Sequence, residues 1–320
     1  MNKTSNLGKL ERGGFTLIEM LVVLSITGLL LAIVIPAVQS ARGSARRLQC
    51  AQNLHQMGLA LANYSATFGQ FPQGGTGNGY SSHVMLLPSM DQQVVYNAIN
   101  RSFLASGIEV HPENATISNC KVSAYYCPVD FFPENTRSSG TSYAGSRGFD
   151  DRSQETNGIF PRGNRSISYR DVTDGSSSTV MIAEWVQGPR GNQSIDPQGT
   201  IFAIDPGLNG VSQLSLFSRT CAAVNASMNA VNGNDKGRNW FFGEYQHTLF
   251  NHNMPINSFS CISDGGVQAG AFSAGSKHSG GANVLFTDGH AQFVKQQVDL
   301  AVWQSLGSRS RGEVIDSADY

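Results

Sequence analysis

Apolar residues follow two regimes along the N-terminal part of the chain. From Met20 to Val38 only Ser25 and Thr27 carry polar side chains. As a helix rising 1.5 Å per residue, this run crosses a hydrocarbon core of about 30 Å. Beyond it, "RRLQCAQNLHQMGLALANYSATFGQFP" places Leu48, Leu54, Met57, Leu61 and Tyr64 at steps of six, three, four and three. That is the stripe of an amphipathic helix. Gly69 and Pro72 supply the stop. The pattern predicts one helix from about Phe15 to Thr67, roughly 75 Å long. Its second half must bury its stripe, most simply against an antiparallel β-sheet, and the predicted fold class is α+β.

The remaining pattern is less regular. "QGGTGNGYSS" reads as a surface loop, since its glycines do not match G-x-G-x-x-G. "HVMLLPSMDQQVVYNAIN" reads as an apolar stretch followed by a short helix capped by Asp91. In "YRDVTDGSSSTVMIAEW", Asp174-Gly175 predicts a turn and Val180 to Val186 a strand. Residues 188–270 are rich in Asn, Gly and Ser and read as a loop-rich insert. Their aromatics Trp240, Phe241, Phe242 and Tyr245 either line a sugar-binding face or serve the core. Near the C-terminus, Val284-Leu285-Phe286 and Gln292-Phe293-Val294 flank Asp288-Gly289, a two-residue hairpin signal. The expected organisation is a leader over 1–14, a membrane-spanning half-helix over 15–38 and its continuation over 39–68. A head over 69–187, the insert over 188–270 and a C-terminal hairpin with its tail over 271–320 follow.

Composition sharpens this picture. Charged residues are 14% of the chain, below the roughly 25% of an ordinary soluble domain, and Gly is abundant at 35. This suits a loop-rich protein outside the cytoplasm. The formal charge is −1, so no basic field exists for nucleic acid, and none is expected as a partner. Cysteines stand at 50, 120, 127, 221 and 261, with no CxxC pair and no His spacing of a zinc pattern. The four distal ones allow three pairings. Cys221–Cys261 is favoured, closing a ring of about 40 residues worth roughly 4 kcal/mol in the loop-entropy model. Cys120–Cys127 is the weaker alternative, and Cys50 is the odd one out. No G-x-S-x-G elbow, HExxH or Walker sequence occurs, and Asp174, Glu184, Asp205 and Asp264 are scattered. No catalytic residue is assigned, and the expectation is a non-enzyme.

The small pair Gly13-Gly14 precedes the apolar run instead of following it, the reverse of a secretory signal peptide. Gly14 to Glu19, "GFTLIE", resembles the type IV prepilin processing motif: a basic leader, then Gly, Phe and Glu at fixed spacing, then the apolar run. The resemblance implies cleavage after Gly14 by a prepilin peptidase and methylation of the new N-terminal Phe15. It also implies a kinking role for Pro36, which removes a backbone donor. Glu19 then gains a partner. A carboxylate in the bilayer costs a few kcal/mol, and the Phe15 amine, of its own chain or a neighbour, neutralises it. Flanking charge leaves orientation nearly tied, Lys3, Lys9 and Arg12 against Arg42, Arg46 and Arg47. The motif places the leader in the cytoplasm and the body outside the inner membrane, in the periplasm or at the cell surface.

His278 stands ten residues before Asp288-Gly289. With the N-terminal motif, this resembles a bacterial, planctomycete-type family of prepilin-processed proteins with an H-X9-DG element, a domain of unknown function. The stretches "CAQNLHQMGLALANY", "HVMLLPSMDQ", "YYCPVD", "VTDGSSSTVMIAE" and "HSGGANVLFTDGHAQFV" also carry it. His290 departs from the Ser that the family often has after DG. His278, Asp288 and His290 form a candidate metal or acid–base set, although the plainer reading has His278 bonding backbone and Asp288 serving the turn. Likeness to pseudopilins adds a minor calcium possibility at Asp264, Asp288 or Asp299; otherwise no cofactor is expected. The expectation is a pilin-like, membrane-anchored structural protein, a minor subunit of a pilus or secretion pseudopilus that assembles with its own copies or other pilin-like subunits. The alternative is a non-polymerising tethered module that binds glycan or another envelope component.

Overall fold

The computed structural model describes residues 16–105, 110–130, 139–149, 156–161, 165–188, 196–204, 214–224, 236–263, 270–316, 318 and 320. The chain divides into two compact units between Ala45 and Arg46.

A single helix, α1 (Leu17–Phe68), runs through Pro36. The proline removes the N–H that would bond the carbonyl of Ala32. At its start Thr16 and Glu19 form a capping box. The Thr16 N–H and hydroxyl donate to Glu19 Oε2 at 2.9 and 2.8 Å, and Glu19 N–H donates to Thr16 Oγ1 at 3.3 Å. At its end Gly69 takes φ 74°, and its N–H bonds the Ser65 carbonyl at 2.8 Å, a left-handed stop that suits glycine. Among residues 16–49 every side chain is exposed. From Cys50 onward one face is buried: Cys50, Asn53, Leu54, Met57, Gly58, Ala60, Leu61 and Ser65. Leu48, expected on this stripe, is 62% exposed. Six residues separate it from Leu54, which turns it about 120° off the face, whereas Cys50 is only about 40° away.

The main sheet has the order β4-β1-β2-β7-β8, with β1 (Tyr143–Ser146), β2 (Val180–Glu184), β4 (Leu249–Phe250), β7 (Gly281–Phe286) and β8 (Ala291–Lys295). It is antiparallel except that β4 pairs parallel to β1. The strand expected over Val180–Val186 ends at Glu184. It reads VMIAE without alternation because both faces are buried. Helix α1 meets the sheet at β7 and β8. A Cβ built on Gly58 would stand 2.9 Å from Leu285 Cδ1, and the Arg47 guanidinium lies 3.5 Å from the Phe293 ring centroid. The described residues also form α2 (Ser82–Leu86), α3 (Gln93–Asn97), α4 (Pro112–Ser118) and α6 (Leu300–Gly307), of which α2 and α6 bury Val84, Leu86, Trp303 and Leu306 in the core. Asp91 does not cap α3; it takes a left-handed φ of 57°, and Gln92 stands at the cap without a side-chain bond.

Residues 188–270, read as loop-rich, hold real elements. A three-stranded sheet, β3 (Ile201–Ile204), β5 (Ser260–Ser263) and β6 (Gly270–Ala271), lies with α5 (Leu214–Ala222) around a second, smaller core that includes Phe202, Phe217 and Met254. Its strands are two to four residues long, too short to register as periodicity against Asn and Gly. Cys221 and Cys261 are disulfide-bonded across this core. Trp240, Phe241, Phe242 and Tyr245 are all buried in the main core, so they present no face to a sugar.

Candidate functional site

The two ends of the sequence signature lie in different surroundings. Gly14 and Phe15 fall outside the described residues. Glu19 is exposed and accepts bonds from Thr16 in the first turn of α1. Leu17–Phe68 contains a stretch long and apolar enough to cross a membrane. Along it Leu17, Leu21, Leu24, Leu29 and Ile33 project their side chains outward.

At the C-terminal hairpin, Gly289 has φ 93°. The Gly289 N–H bonds the Phe286 carbonyl at 3.0 Å, and the Phe286 N–H bonds the His290 carbonyl at 2.9 Å. This is a three-residue loop closing on a left-handed glycine, not the two-residue turn expected. Asp288 Oδ1 accepts from the His290 N–H at 3.1 Å and lies 2.6 Å from His290 Nδ1. The His290 ring stacks on Phe286 at 4.3 Å. These groups serve the turn. Asp299 caps α6 by accepting from the Ala301 N–H at 2.8 Å. Asp264 lies outside the described residues.

His278 does not join Asp288 and His290. It belongs to a buried group of four: Cys50 on α1, Cys127 after a short 3-10 turn, Glu184 at the end of β2 and His278 just before β7. One donor atom from each lies within 4.8 Å of the others. Cys50 and Cys127 are disulfide-bonded, and Cys120 carries the free thiol. This corrects both the pairing of Cys120 with Cys127 and the placing of Cys50 as the odd cysteine: Cys50 sits on the buried face of α1. His278 Nε2 is 3.4 Å from Cys127 Sγ and 3.7 Å from Glu184 Oε1. Glu184 is held from β7, where Asn283 donates its backbone N–H to Oε2 at 2.8 Å and its Nδ2 to Oε1 at 2.9 Å.

Burial pushes the Glu184 carboxyl up to about 7, against the lowering effect of the Asn283 and Ser276 bonds. Burial, aided by the charge of Arg47, lowers His278. Both effects disfavour charge, which weakens the 3.7 Å contact as an ion pair. A second buried polar set adjoins it. Asp130, raised to about 7 by burial, accepts from Ser142 Oγ at 2.9 Å and from the Gln187 N–H at 3.2 Å. Lys236 is lowered to about 7 by burial and donates to the Gln198 carbonyl at 3.0 Å.

Cys50, Cys127 and Glu184 lie 77 and 57 residues apart along the chain, wider than any local ligand motif. The one legible sign was Glu184 itself, a carboxylate ending an otherwise apolar strand, which requires buried partners.

Two family models match the chain. One, described as a protein of unknown function (DUF1559), covers residues 39–301. The other, the prokaryotic N-terminal methylation motif, covers residues 11–35. No curated protein and no solved structure gives a significant match.

Proposed function

Because the chain belongs to the DUF1559 family of proteins of unknown function and carries a prokaryotic N-terminal methylation motif, we propose that this type IV pilin-like, membrane-anchored protein is a minor subunit of a pilus or secretion pseudopilus. One observation carries the reading. The methylation motif opens a helix whose apolar first half is exposed on all sides and which continues without a break into the buried spine of a folded head. A cleaved signal peptide would be lost from the product; this helix is kept by it.

In this reading a prepilin peptidase cuts between Gly14 and Phe15, and the leader lies in the cytoplasm. The span sits in the inner membrane, and the head lies outside. The apolar half-helix then packs among the corresponding helices of neighbouring subunits, and Glu19 exchanges its Thr16 contacts for a neighbour's Phe15 amine, since a buried carboxylate needs a matched cation. The head's role is structural, not catalytic. Intact-mass analysis of the membrane-extracted protein tests processing: the expected chain begins at methylated Phe15, and a chain beginning at Met1 or cut beyond Pro36 overturns it. Cysteine crosslinking in cells along residues 20–35 tests assembly. Ladders are expected, and monomers alone would favour a tethered, non-polymerising envelope-binding module.

A further inference from the structure

We propose that Cys50, Cys127, Glu184 and His278 form a binding site for a tetrahedral divalent metal of the zinc type, available when the Cys50–Cys127 disulfide is reduced. The disulfide and the metal are two alternative states of one site, and the inference does not depend on whether the protein polymerises.

The donor set carries it. Two thiolates, an imidazole and a carboxylate are the ligands that Zn²⁺ takes in four-coordinate sites. With Zn–S near 2.3 Å and Zn–N and Zn–O near 2.0–2.2 Å, donor atoms around one tetrahedral ion stand roughly 3.3–3.8 Å apart. The Cys127 Sγ to His278 Nε2 distance is 3.4 Å, and the His278 Nε2 to Glu184 Oε1 distance is 3.7 Å. The two sulfurs must separate, from a covalent bond to nonbonded contact, and all four donor atoms already lie within 4.8 Å of one another. All four residues are buried, so the set lies away from competing water.

The supports of the set are also in place. The Glu184 carboxylate is oriented by two bonds from Asn283, and the His278 backbone N–H is tied to Ser276 Oγ at 3.1 Å. The Tyr143 hydroxyl donates to the Cys50 carbonyl at 3.2 Å, and Asn53 Nδ2 donates to the Tyr126 carbonyl at 2.8 Å beside Cys127. Such outer bonds hold metal ligands in register. Two thiolates, one carboxylate and a dication leave a net charge of −1. Arg47, whose charge acts on His278, is a cation placed to offset it.

The exchange balances. A dithiol reductant gives two electrons and two protons to the S–S bond, yielding two thiols and its own disulfide. Metal binding then displaces the two thiol protons to solvent, together with any proton held by the Glu184 carboxyl. In reverse, a disulfide oxidant accepts two electrons from the thiolates, the Cys50–Cys127 bond re-forms and the ion leaves.

The full chain in detergent, with Cys120→Ser to remove the free thiol, tests this. After reduction with a phosphine and anaerobic titration with Co²⁺, we expect one ion per chain. It should give a thiolate-to-cobalt charge-transfer band and tetrahedral d–d bands, both displaced by Zn²⁺; the oxidised chain should give neither. His278→Ala should weaken Zn²⁺ binding beyond the roughly 10–100-fold expected for the outer partner variant Asn283→Ala. A reduced chain that unfolds cooperatively but shows no band would overturn the proposal. So would a band unchanged in His278→Ala, which would place the ion at Cys221 and Cys261. A reduced chain that loses cooperative unfolding and is not restored by Zn²⁺ would also overturn it, because a metal that binds only the folded form must stabilise that form.

Discussion

The two halves of α1 share a backbone and differ in everything else. Over residues 17–45 apolar side chains surround the axis and none is buried. Over residues 50–65 a single face, with Cys50, Leu54, Met57, Gly58 and Leu61, is buried. A helix apolar all round is built for an apolar solvent or for neighbours on every side, whereas a striped helix is built for one sheet. The difference shows that helix propensity says little about what a helix is for. The angular distribution of its apolar residues says much more.

The largest test of this contrast is truncation on each side. Leu54→Ala should cost the head about 4 kcal/mol by opening a cavity in a closed core. Ile26→Ala should leave the head's denaturant midpoint unchanged, since Ile26 is exposed. Equal losses in the two variants would erase the distinction. A charge probes the same contrast through solvent. Leu29→Arg, near the middle of the span, should cost about 3 kcal/mol of membrane insertion, read as loss from the membrane fraction.

A smaller effect belongs to the head alone. Asp130 is raised from 3.8 to about 7 by burial, so between those values the folded chain holds a proton that the unfolded chain has shed. The unfolded state binds fewer protons there, and stability contributed by this group falls as pH rises through the window. Asp130→Asn cannot titrate, so its stability relative to the wild type should improve by about 2 kcal/mol from pH 4 to pH 6. Parallel denaturation curves across that range would show that the carboxyl is not held neutral. The smallest effect is at Leu59, on the head half but 60% exposed. Leu59→Arg should change the head's stability by no more than about 0.5 kcal/mol.

Legibility in the sequence followed the range of the interactions involved. The long helix, its glycine stop, the strand from Val180 and the glycine turn at Gly289 all depend on neighbours a few residues away, and all could be read. The spacing of the stripe misplaces Leu48, because an apolar residue two positions from Cys50 fits a loose count of spacings but not the helix angle. The small sheet from β3 to β6 escaped because two to four residues carry too little periodicity. His278 was singled out for its distance from Asp288-Gly289, yet its partners come from α1, from the segment carrying Cys127 and from β2. No spacing encodes that meeting.

By itself, then, the sequence determined the membrane-length helix, its processing motif and the α+β class, because each rests on local chemistry or on a single periodicity. Only the tertiary structure decided that Cys50 pairs with Cys127, that Cys120 is free and that the aromatics of residues 240–245 are core. It also brought Glu184 and His278 against that disulfide. The reason is physical: burial and long-range contact depend on how the sheet orders its strands as β4-β1-β2-β7-β8, and that order joins residues from distant parts of the chain.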